Sequence, residues 1–210
     1  MPSATFANLP AQKQERLLEA ATREFSRRPF SEASINQIIK DAGIPRGSFY
    51  MYFADKEDLF RYIMGGYVAQ LMMVIRECVL RAGGDLFQGM LDLYDYLRLR
   101  SGRQPGEPGA MTAIIACNSG LQENLLLGML DRETILEGLR DAVALETLDL
   151  RQERDLADIL ALVLSAAAPL LYSGLQNRED GEIRSRLCNI LELCKRGMAR
   201  DKGAVSEKKE

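Results

Sequence analysis

The stretch that decides the fold is SINQIIKDAGIPRGSFYMYFADKEDLF, which covers residues 34 to 60. Its isoleucines recur at helical spacing, and Gly43 follows them at a position where a left-handed residue commonly ends a helix. Pro45 suits the first turn of a second short helix, because its fixed φ is already helical and it has no N–H to leave unpaired. Two short helices around a glycine-containing turn predict a helix-turn-helix, whose second helix enters the major groove of DNA.

The same stretch carries signals for the ends of its helices. Ser34 and Gln37 form an S-x-x-Q pattern, which predicts that the hydroxyl and the amide cap the first of the two helices together. The second helix is predicted at residues 46 to 53. Asp55 is expected to cap the long helix that follows, and the acidic residues 57 and 58 would complement its positive end.

The residue order of this region resembles the TetR family of bacterial transcriptional regulators over about residues 10 to 62. The matching pieces are Ala20-Ala21, Phe25, Ala42-Gly43-Ile44, Gly47-Ser48-Phe49-Tyr50, Tyr52-Phe53 and Asp55-Lys56-Glu57-Asp58-Leu59. The sequence departs from the family pattern at Pro29 and Pro45, neither of which replaces a contact residue. The resemblance implies a three-helix helix-turn-helix domain followed by a helical domain that binds a ligand and forms a dimer.

Length and composition favour a soluble protein. The chain has 210 residues, of which 47% are hydrophobic and 27% are charged, so a substantial core is expected and disorder is not. Residues 1 to 16 lack the apolar core of a signal peptide. The longest apolar run, residues 159 to 172, falls short of the ~20 residues needed to cross a bilayer. A cytoplasmic location without a membrane partner is therefore expected.

The absence of histidine and the spacing of the cysteines exclude several chemistries. The chain has no histidine, which removes serine–histidine and cysteine–histidine catalysis and histidine-bound zinc. The four cysteines, Cys78, Cys117, Cys188 and Cys194, form no C-x-x-C pair, so reduced thiols are expected, with oxidative sensing by one of them as an open alternative. We expect no enzyme activity and no cofactor; an enzyme using Cys117 as its nucleophile is the rival interpretation, which the missing histidine disfavours.

Helical periodicity extends along almost the whole chain, and no strand pattern is convincing. The predicted fold is all-α with about nine helices. The predicted domains are a DNA-binding domain at residues 1 to 54, a ligand-sensing and dimerisation domain at residues 55 to 200, and a charged tail at residues 201 to 210. A glycine pair at residues 83 and 84 is expected to end the long helix that links the first two domains.

Two helices near the C-terminus predict a dimer. The helix around residues 159 to 171 is so apolar that nearly every side of it must be covered, and the last helix offers a second apolar stripe. Two such helices and their symmetry mates would form a four-helix interface, as the resemblance also implies; packing of both helices inside a monomer is the alternative. The residues expected at the interface are Leu160, Leu164, Ala167, Leu171, Ile183, Leu187, Ile190 and Leu191.

The second helix of the helix-turn-helix carries most of the side chains expected to touch DNA. Arg46 can reach a guanine edge with both guanidinium nitrogens, and Gly47 lets the backbone approach closely. Lys56 matches a lysine that binds phosphate in the family. The expected DNA-binding residues are Ser34, Asn36, Arg46, Gly47, Ser48, Tyr50, Tyr52 and Lys56. Residues 1 to 60 hold eight basic and eight acidic side chains, so affinity for DNA must depend on where the charges lie.

The larger domain contains methionines and tyrosines that suit a mostly apolar cavity for a small organic effector, although each of them also suits an ordinary core. The candidate ligand-binding residues are Met64, Tyr67, Met90, Tyr94, Met111 and Met129. The sequence, taken with the resemblance, therefore predicts a dimeric, ligand-responsive regulator, most simply a repressor of a palindromic double-stranded DNA operator. The alternative is a helical interaction protein that has kept the fold without specific DNA binding. Neither the effector, the operator sequence nor the choice between repression and activation follows from the residues.

Overall fold

The computed structural model describes residues 3–100, 108–117, 132–176 and 181–200. Within these ranges the chain contains no strand and has one isolated antiparallel bridge, between Leu148 and Ala199. The helices are α1 Ala4–Ala7, α2 Ala11–Arg27, α3 Ile35–Ala42, α4 Arg46–Tyr52, α5 Lys56–Arg81, α6 Leu86–Arg100, α7 Pro108–Cys117, α8 Arg132–Leu139, α9 Asp155–Gln176 and α10 Gly181–Met198. A short 3₁₀ helix, Leu145–Thr147, precedes α9. The all-α prediction is confirmed. The predicted tail, residues 201 to 210, lies outside the described ranges.

The chain divides into two compact units. Unit 1 contains residues 1–70 and 100–129, and unit 2 contains residues 71–99 and 130–210. The division falls inside α5 rather than at residue 54, where the sequence had suggested a boundary. The first turns of α5 belong to unit 1 because Leu59, Phe60, Ile63 and Met64 bury their side chains in the core formed by α2, α3 and α4.

The core of unit 1 is largely aromatic. Phe25 of α2 meets Phe60 of α5 edge to face, with ring centroids 4.9 Å apart, and Phe49 and Phe53 turn inward from α4 and the residue after it. Such ring pairs add roughly 0.5–1.5 kcal/mol each beyond their burial. The core therefore ties the two short helices to the two longer ones.

Helix α7 also packs in unit 1, against α2. Ile114 is fully buried in the aromatic core, and the Cys117 thiol donates to the Ser26 carbonyl at 3.1 Å. The sequence had placed this segment with the second domain, because an apolar helical pattern does not state which core it enters.

Several predicted helix ends are confirmed. Gly43 ends α3 in the left-handed conformation, with φ of 66°, and the Ile44 N–H closes the turn by donating to the Ile39 carbonyl at 3.0 Å. The Asp55 carboxylate accepts the Asp58 N–H at 2.7 Å and so caps α5. Asp85, which was not predicted as a cap, does the same for α6 through the N–H groups of Phe87 and Gln88.

The predicted capping box at α3 is wrong. Ser34 is the N-cap residue but makes no capping hydrogen bond with its side chain, and the Gln37 amide donates to Asp41 at 2.8 Å. The backbone N–H of Ser34 instead donates to the Glu24 carboxylate at 2.9 Å. A partner on another helix has therefore replaced the local one.

Unit 2 is built around α9 and α10, which pack against each other along their lengths. Pro169 lies inside α9. Helices α5 and α9 are long and apolar enough to meet a length-and-composition test for a membrane span, which core helices of soluble proteins also pass. Much of both helices is covered by the rest of the chain, and α9 is apolar because it supplies a core.

The turn after α5 uses two glycines in different ways. Gly83 and Gly84 have φ of 67° and 86°, and the Gly84 carbonyl accepts the Ala144 N–H at 3.0 Å. A Cβ on Gly84 would lie 2.6 Å from the Ala144 nitrogen, whereas a Cβ on Gly83 would meet nothing within 4 Å. Both positions need positive φ, but only Gly84 also needs the missing side chain.

We therefore expect Gly84→Ala to lower the free energy of unfolding by more than Gly83→Ala. Gly83→Ala loses only the conformational term, roughly 1–2 kcal/mol. Gly84→Ala loses that term and adds a clash worth roughly 1–3 kcal/mol. Urea unfolding of the two variants beside the unmodified protein measures both losses, and equal losses would contradict the close contact with Ala144.

Candidate nucleic-acid interface

The two helices that the sequence singled out form a helix-turn-helix in unit 1. Helix α3 buries Ile38 and α4 buries Phe49, so both attach to the aromatic core through one face. Pro45 caps α4 from outside rather than forming its first turn, and α4 begins at Arg46. The opposite face of the pair is polar and open to solvent.

Arg46 links the polar faces of α3 and α4. One guanidinium nitrogen donates to the Asn36 side-chain oxygen, and the other donates to the Tyr50 hydroxyl at 3.4 Å. The guanidinium also lies 5.8 Å from the Tyr50 ring centroid, within the range of a cation–π contact. All three side chains are exposed, with Tyr50 at 48%. Three of the predicted DNA-binding residues are thus brought together on one surface.

An open depression of ≈ 260 Å³ lies beside this cluster. Its lining residues are Ala33, Ser34, Ile35, Asn36, Arg46 and Lys56. The lining contains two cations and no carboxylate, so the depression carries positive charge although the first 60 residues are balanced in charge overall.

The other predicted contact residues differ in their surroundings. Gly47 is exposed, and a Cβ there would meet nothing within 4 Å, so the protein itself does not require glycine at this position. Ser48 is half-buried. Tyr52 is half-buried with its ring 6.0 Å from that of Phe6, so much of its side chain belongs to the core.

Lys56 is engaged by the protein itself. Its ammonium donates to the backbone carbonyls of Phe30, Ser31 and Ala33, in the loop between α2 and α3, and lies 4.7 Å from the Phe30 ring centroid. The sequence had offered Lys56 as a partner for phosphate, on resemblance alone. The structure shows that it has backbone partners.

Helix α1 is not among the helices predicted from the sequence. Ser3 caps α1 by accepting the Phe6 N–H at 3.3 Å, and its own N–H donates to the Tyr52 carbonyl at 2.9 Å. Phe6 is buried with its ring 4.8 Å from that of Phe53. The sequence signal for this helix is Ser3 as a cap three residues before Phe6. A pattern of two residues occurs too often by chance to predict a helix. The N-terminal segment therefore holds the end of α4.

The candidate ligand-binding residues divide between the units. Met64 is buried in the core of unit 1, and the Tyr67 side chain packs against that core. Met111 lies half-buried on α7. Burial raises the pKa of the Tyr67 hydroxyl, and a hydrogen bond with the Thr22 side chain lowers it by a smaller amount. Met90 and Tyr94 are fully buried in unit 2. Met129 lies outside the described residues.

Most of the residues predicted at a dimer interface are core residues of one protomer. Six are buried where α9 and α10 meet their own chain: Leu160, Leu164, Ala167, Ile183, Leu187 and Leu191. Leu171 and Ile190 are half-buried. Periodicity identifies an apolar stripe but not the chain that covers it, and these six side chains are covered by their own chain. The interface itself stays a prediction. Among the leucines of α9 and α10 whose exposure the structure describes, Leu162 and Leu193 are exposed.

Comparison with known proteins places the motif in a class. The family profile described as "Bacterial regulatory proteins, tetR family" matches residues 17–63, which span α2, α3, α4 and the start of α5. YdgC of Bacillus subtilis, an uncharacterised HTH-type transcriptional regulator, is 35% identical over 72 residues, which are 34% of this chain and 37% of YdgC. That match covers about a third of either protein.

Two further similarities extend over nearly the whole chain. The HTH-type transcriptional repressor AcnR of Corynebacterium glutamicum is 24% identical over 190 residues, covering 88% of this chain and 99% of AcnR. The solved structure of SmeT in complex with triclosan superposes with a TM-score of 0.60 at 17% identity, over 96% of this chain and 100% of that one. The latter likeness concerns the fold alone.

The geometry and these matches define a helix-turn-helix unit similar to those of HTH-type transcriptional regulators. The part of the chain that carries the motif, residues 17–63, is similar to the tetR family of bacterial regulatory proteins.

Proposed function

We propose that the protein is a dimeric transcriptional repressor that binds a palindromic operator and is released from it by a small organic molecule. The observation that carries the DNA-binding part is the exposed cluster of Arg46, Asn36 and Tyr50 on the polar face of α3 and α4. A guanidinium presented at the first residue of α4 is suited to a guanine edge, and the neighbouring depression offers its positive lining to phosphate.

The contacts within the cluster favour specific recognition. Arg46 is held by Asn36 and Tyr50 before any DNA arrives, so less side-chain freedom is lost on binding. Gly47 faces open space and leaves room for the backbone to approach the duplex. In this proposal Ser34 and Ser48 lie at the edges of the contact, and Tyr52 contributes its exposed part.

We expect selection from a randomised duplex library to recover a palindrome with the unmodified protein. Arg46→Ala should lose about 1–3 kcal/mol of binding free energy and relax selectivity at one position in each half-site, because a bidentate base contact is removed. Arg61→Ala is the matched control, since Arg61 is an exposed arginine of unit 1 that pairs with Glu57 at 2.6 Å. If the unmodified protein enriches no duplex sequence, the repressor proposal is contradicted and the interaction-protein alternative is favoured.

The proposed dimer would use the exposed faces of α9 and α10. Leu162 and Leu193 are 56% and 64% exposed in one protomer, and exposed leucines on two packed helices suit a four-helix contact with a second copy. Two-fold symmetry would present two copies of α4 to the two halves of a palindrome.

Leu162→Glu combined with Leu193→Glu is expected to convert the dimer to a monomer of 23.5 kDa, because each glutamate would place a charge in an apolar contact. Light scattering after size-exclusion chromatography measures the mass. Leu99→Glu is the control, since Leu99 is 70% exposed on α6. If the double variant keeps the mass of the dimer, Leu162 and Leu193 do not form the dimer interface.

The effector site is proposed in unit 2, at Tyr94. The Tyr94 side chain is 1% exposed, and its hydroxyl has no hydrogen-bond partner among the residues that the structure describes. Gly174 packs so closely on the ring that an added Cβ would lie 2.4 Å from it. A buried hydroxyl without an acceptor is costly, so an apolar molecule carrying an acceptor would gain a strong partner. Helix α5, which runs from unit 1 into unit 2, would carry the change to the DNA-binding unit.

Tyr94→Phe should therefore act in opposite directions on two measurements. The unliganded protein should gain about 1 kcal/mol in free energy of unfolding, because an unsatisfied hydroxyl is removed. A compound identified by its release of the recovered operator should bind the variant about tenfold more weakly, because its hydrogen bond is lost. Calorimetry on both proteins gives both values, with Tyr62→Phe as the control because Tyr62 is a 38% exposed tyrosine of unit 1. Unchanged affinity would exclude Tyr94 as a contact.

A further inference from the structure

The C-terminal end of α4 has a hydrogen-bond partner that lies 48 positions earlier in the chain. The Ser3 hydroxyl donates to the Met51 carbonyl at 2.5 Å, and the Ser3 N–H donates to the Tyr52 carbonyl at 2.9 Å. The last carbonyls of a helix have no partner within the helix itself. Ser3 therefore supplies, from another segment, two of the donors that the last turn of α4 needs.

Helix α4 has little support of its own. It is seven residues long, its N-cap residue Pro45 makes no side-chain capping hydrogen bond, and Gly47 is its second residue. Helices this short are marginal in water, and an internal glycine weakens them further. Phe49 and Phe53 anchor α4 to the aromatic core, but apolar packing does not satisfy the carbonyls of its last turn. The contribution of Ser3 is therefore separate from that of the core.

The packing of α1 brings Ser3 to this position. Ser3 is the N-cap of α1, and its hydroxyl oxygen accepts the Phe6 N–H at 3.3 Å. The Phe6 ring is buried, 4.8 Å from the ring of Phe53 after α4 and 5.6 Å from that of Tyr62 on α5. A hydroxyl can accept and donate at once, so this one group is an acceptor for α1 and a donor for α4.

The turn that Ser3 holds also carries part of the proposed DNA-contacting face. Tyr50 directly precedes Met51, and its hydroxyl accepts from the Arg46 guanidinium at 3.4 Å. We propose that Ser3 is a positioning residue for operator binding: its hydroxyl fixes the last turn of α4 and so keeps Tyr50 beside Arg46. It acts through α4 and not on DNA. This inference rests on the proposed operator binding.

The composition of the segment separates this role from a contact with phosphate. Residues 3 to 9 contain no charged side chain. Neutralisation of phosphate by lysine or arginine is what makes affinity for DNA depend on salt. The contribution of Ser3 to operator affinity is therefore expected to be the same at every salt concentration.

Three substitutions separate the two roles of the Ser3 hydroxyl. Ser3→Ala removes both roles, and Ser3→Thr keeps both. Ser3→Asp keeps the cap of α1, because aspartate is as good an N-cap as serine, but an ionised carboxylate cannot donate to the Met51 carbonyl. Thr5→Ala and Thr5→Asp are the matched controls, since Thr5 is exposed on α1 and Thr5→Asp adds the same charge.

We expect Ser3→Ala and Ser3→Asp, in the full-length protein, to bind the recovered operator more weakly than the corresponding Thr5 variants. The loss should be roughly threefold per protomer, and so about tenfold for a dimer, because fewer molecules hold the ordered turn. Ser3→Thr should keep the affinity of the unmodified protein. Without DNA, the amides of Met51, Tyr52 and Phe53 should exchange faster in Ser3→Ala and Ser3→Asp. The plot of log affinity against log salt for Ser3→Ala should stay parallel to that of the unmodified protein.

Three results would overturn the inference. If Ser3→Asp matches Thr5→Asp in affinity and exchange, the hydroxyl serves α1 alone. If Ser3→Ala exchanges faster but binds the operator as the unmodified protein does, the last turn of α4 does not control binding. A smaller salt slope in Ser3→Ala would mean that the segment contacts phosphate.

Two further outcomes are covered by the design. If Ser3→Ala does not fold, Ser3→Gly replaces it, because glycine is a tolerated N-cap without a hydroxyl. If the unmodified protein selects no duplex, the proposed function fails. Amide exchange at the end of α4 then decides alone whether the Ser3 hydroxyl holds that helix.

Discussion

The aromatic core of unit 1 is the constraint on which the polar face of α3 and α4 depends. Helices α3 and α4 have eight and seven residues, and helices of that length are marginal on their own. Six of the seven phenylalanines of the chain lie in this unit. Their rings fix α4 through Phe49 and Phe53, and fix the loop before α3 through Phe30, whose ring lies 5.1 Å from that of Phe60. Since such interiors are densely packed, the polar face of the pair keeps one geometry.

The sequence predicted the parts of this fold whose causes lie within a few residues. Gly43 and Asp55 end or begin helices through hydrogen bonds to their immediate neighbours, and both predictions are confirmed. The cap of α3 failed because its partner, Glu24, lies ten residues upstream on another helix. The same limit applies to the site: the exposed polar face could be predicted, but the three carbonyls around Lys56 depend on tertiary packing.

Apolar periodicity had a different limit. It located α9 and α10 correctly as strongly apolar helices, but most of the stripe chosen as an interface is covered by the same chain, with Leu160 and Leu187 completely buried. Sequence alone cannot tell a stripe covered by its own chain from one covered by a second copy. Counting charges has a similar limit as a predictor of a binding surface. The first 60 residues contain eight acidic and eight basic side chains, but Glu24 is buried and two of the cations line the depression.

The docking of α1 has a practical consequence for handling the protein. Ser3 donates to the carbonyls of Met51 and Tyr52, at the end of the helix that presents Arg46. An affinity tag fused directly ahead of Ser3 would therefore adjoin the anchor of that helix. A tag at the opposite terminus keeps this anchor free, and purification strategy thus becomes a variable in every binding assay.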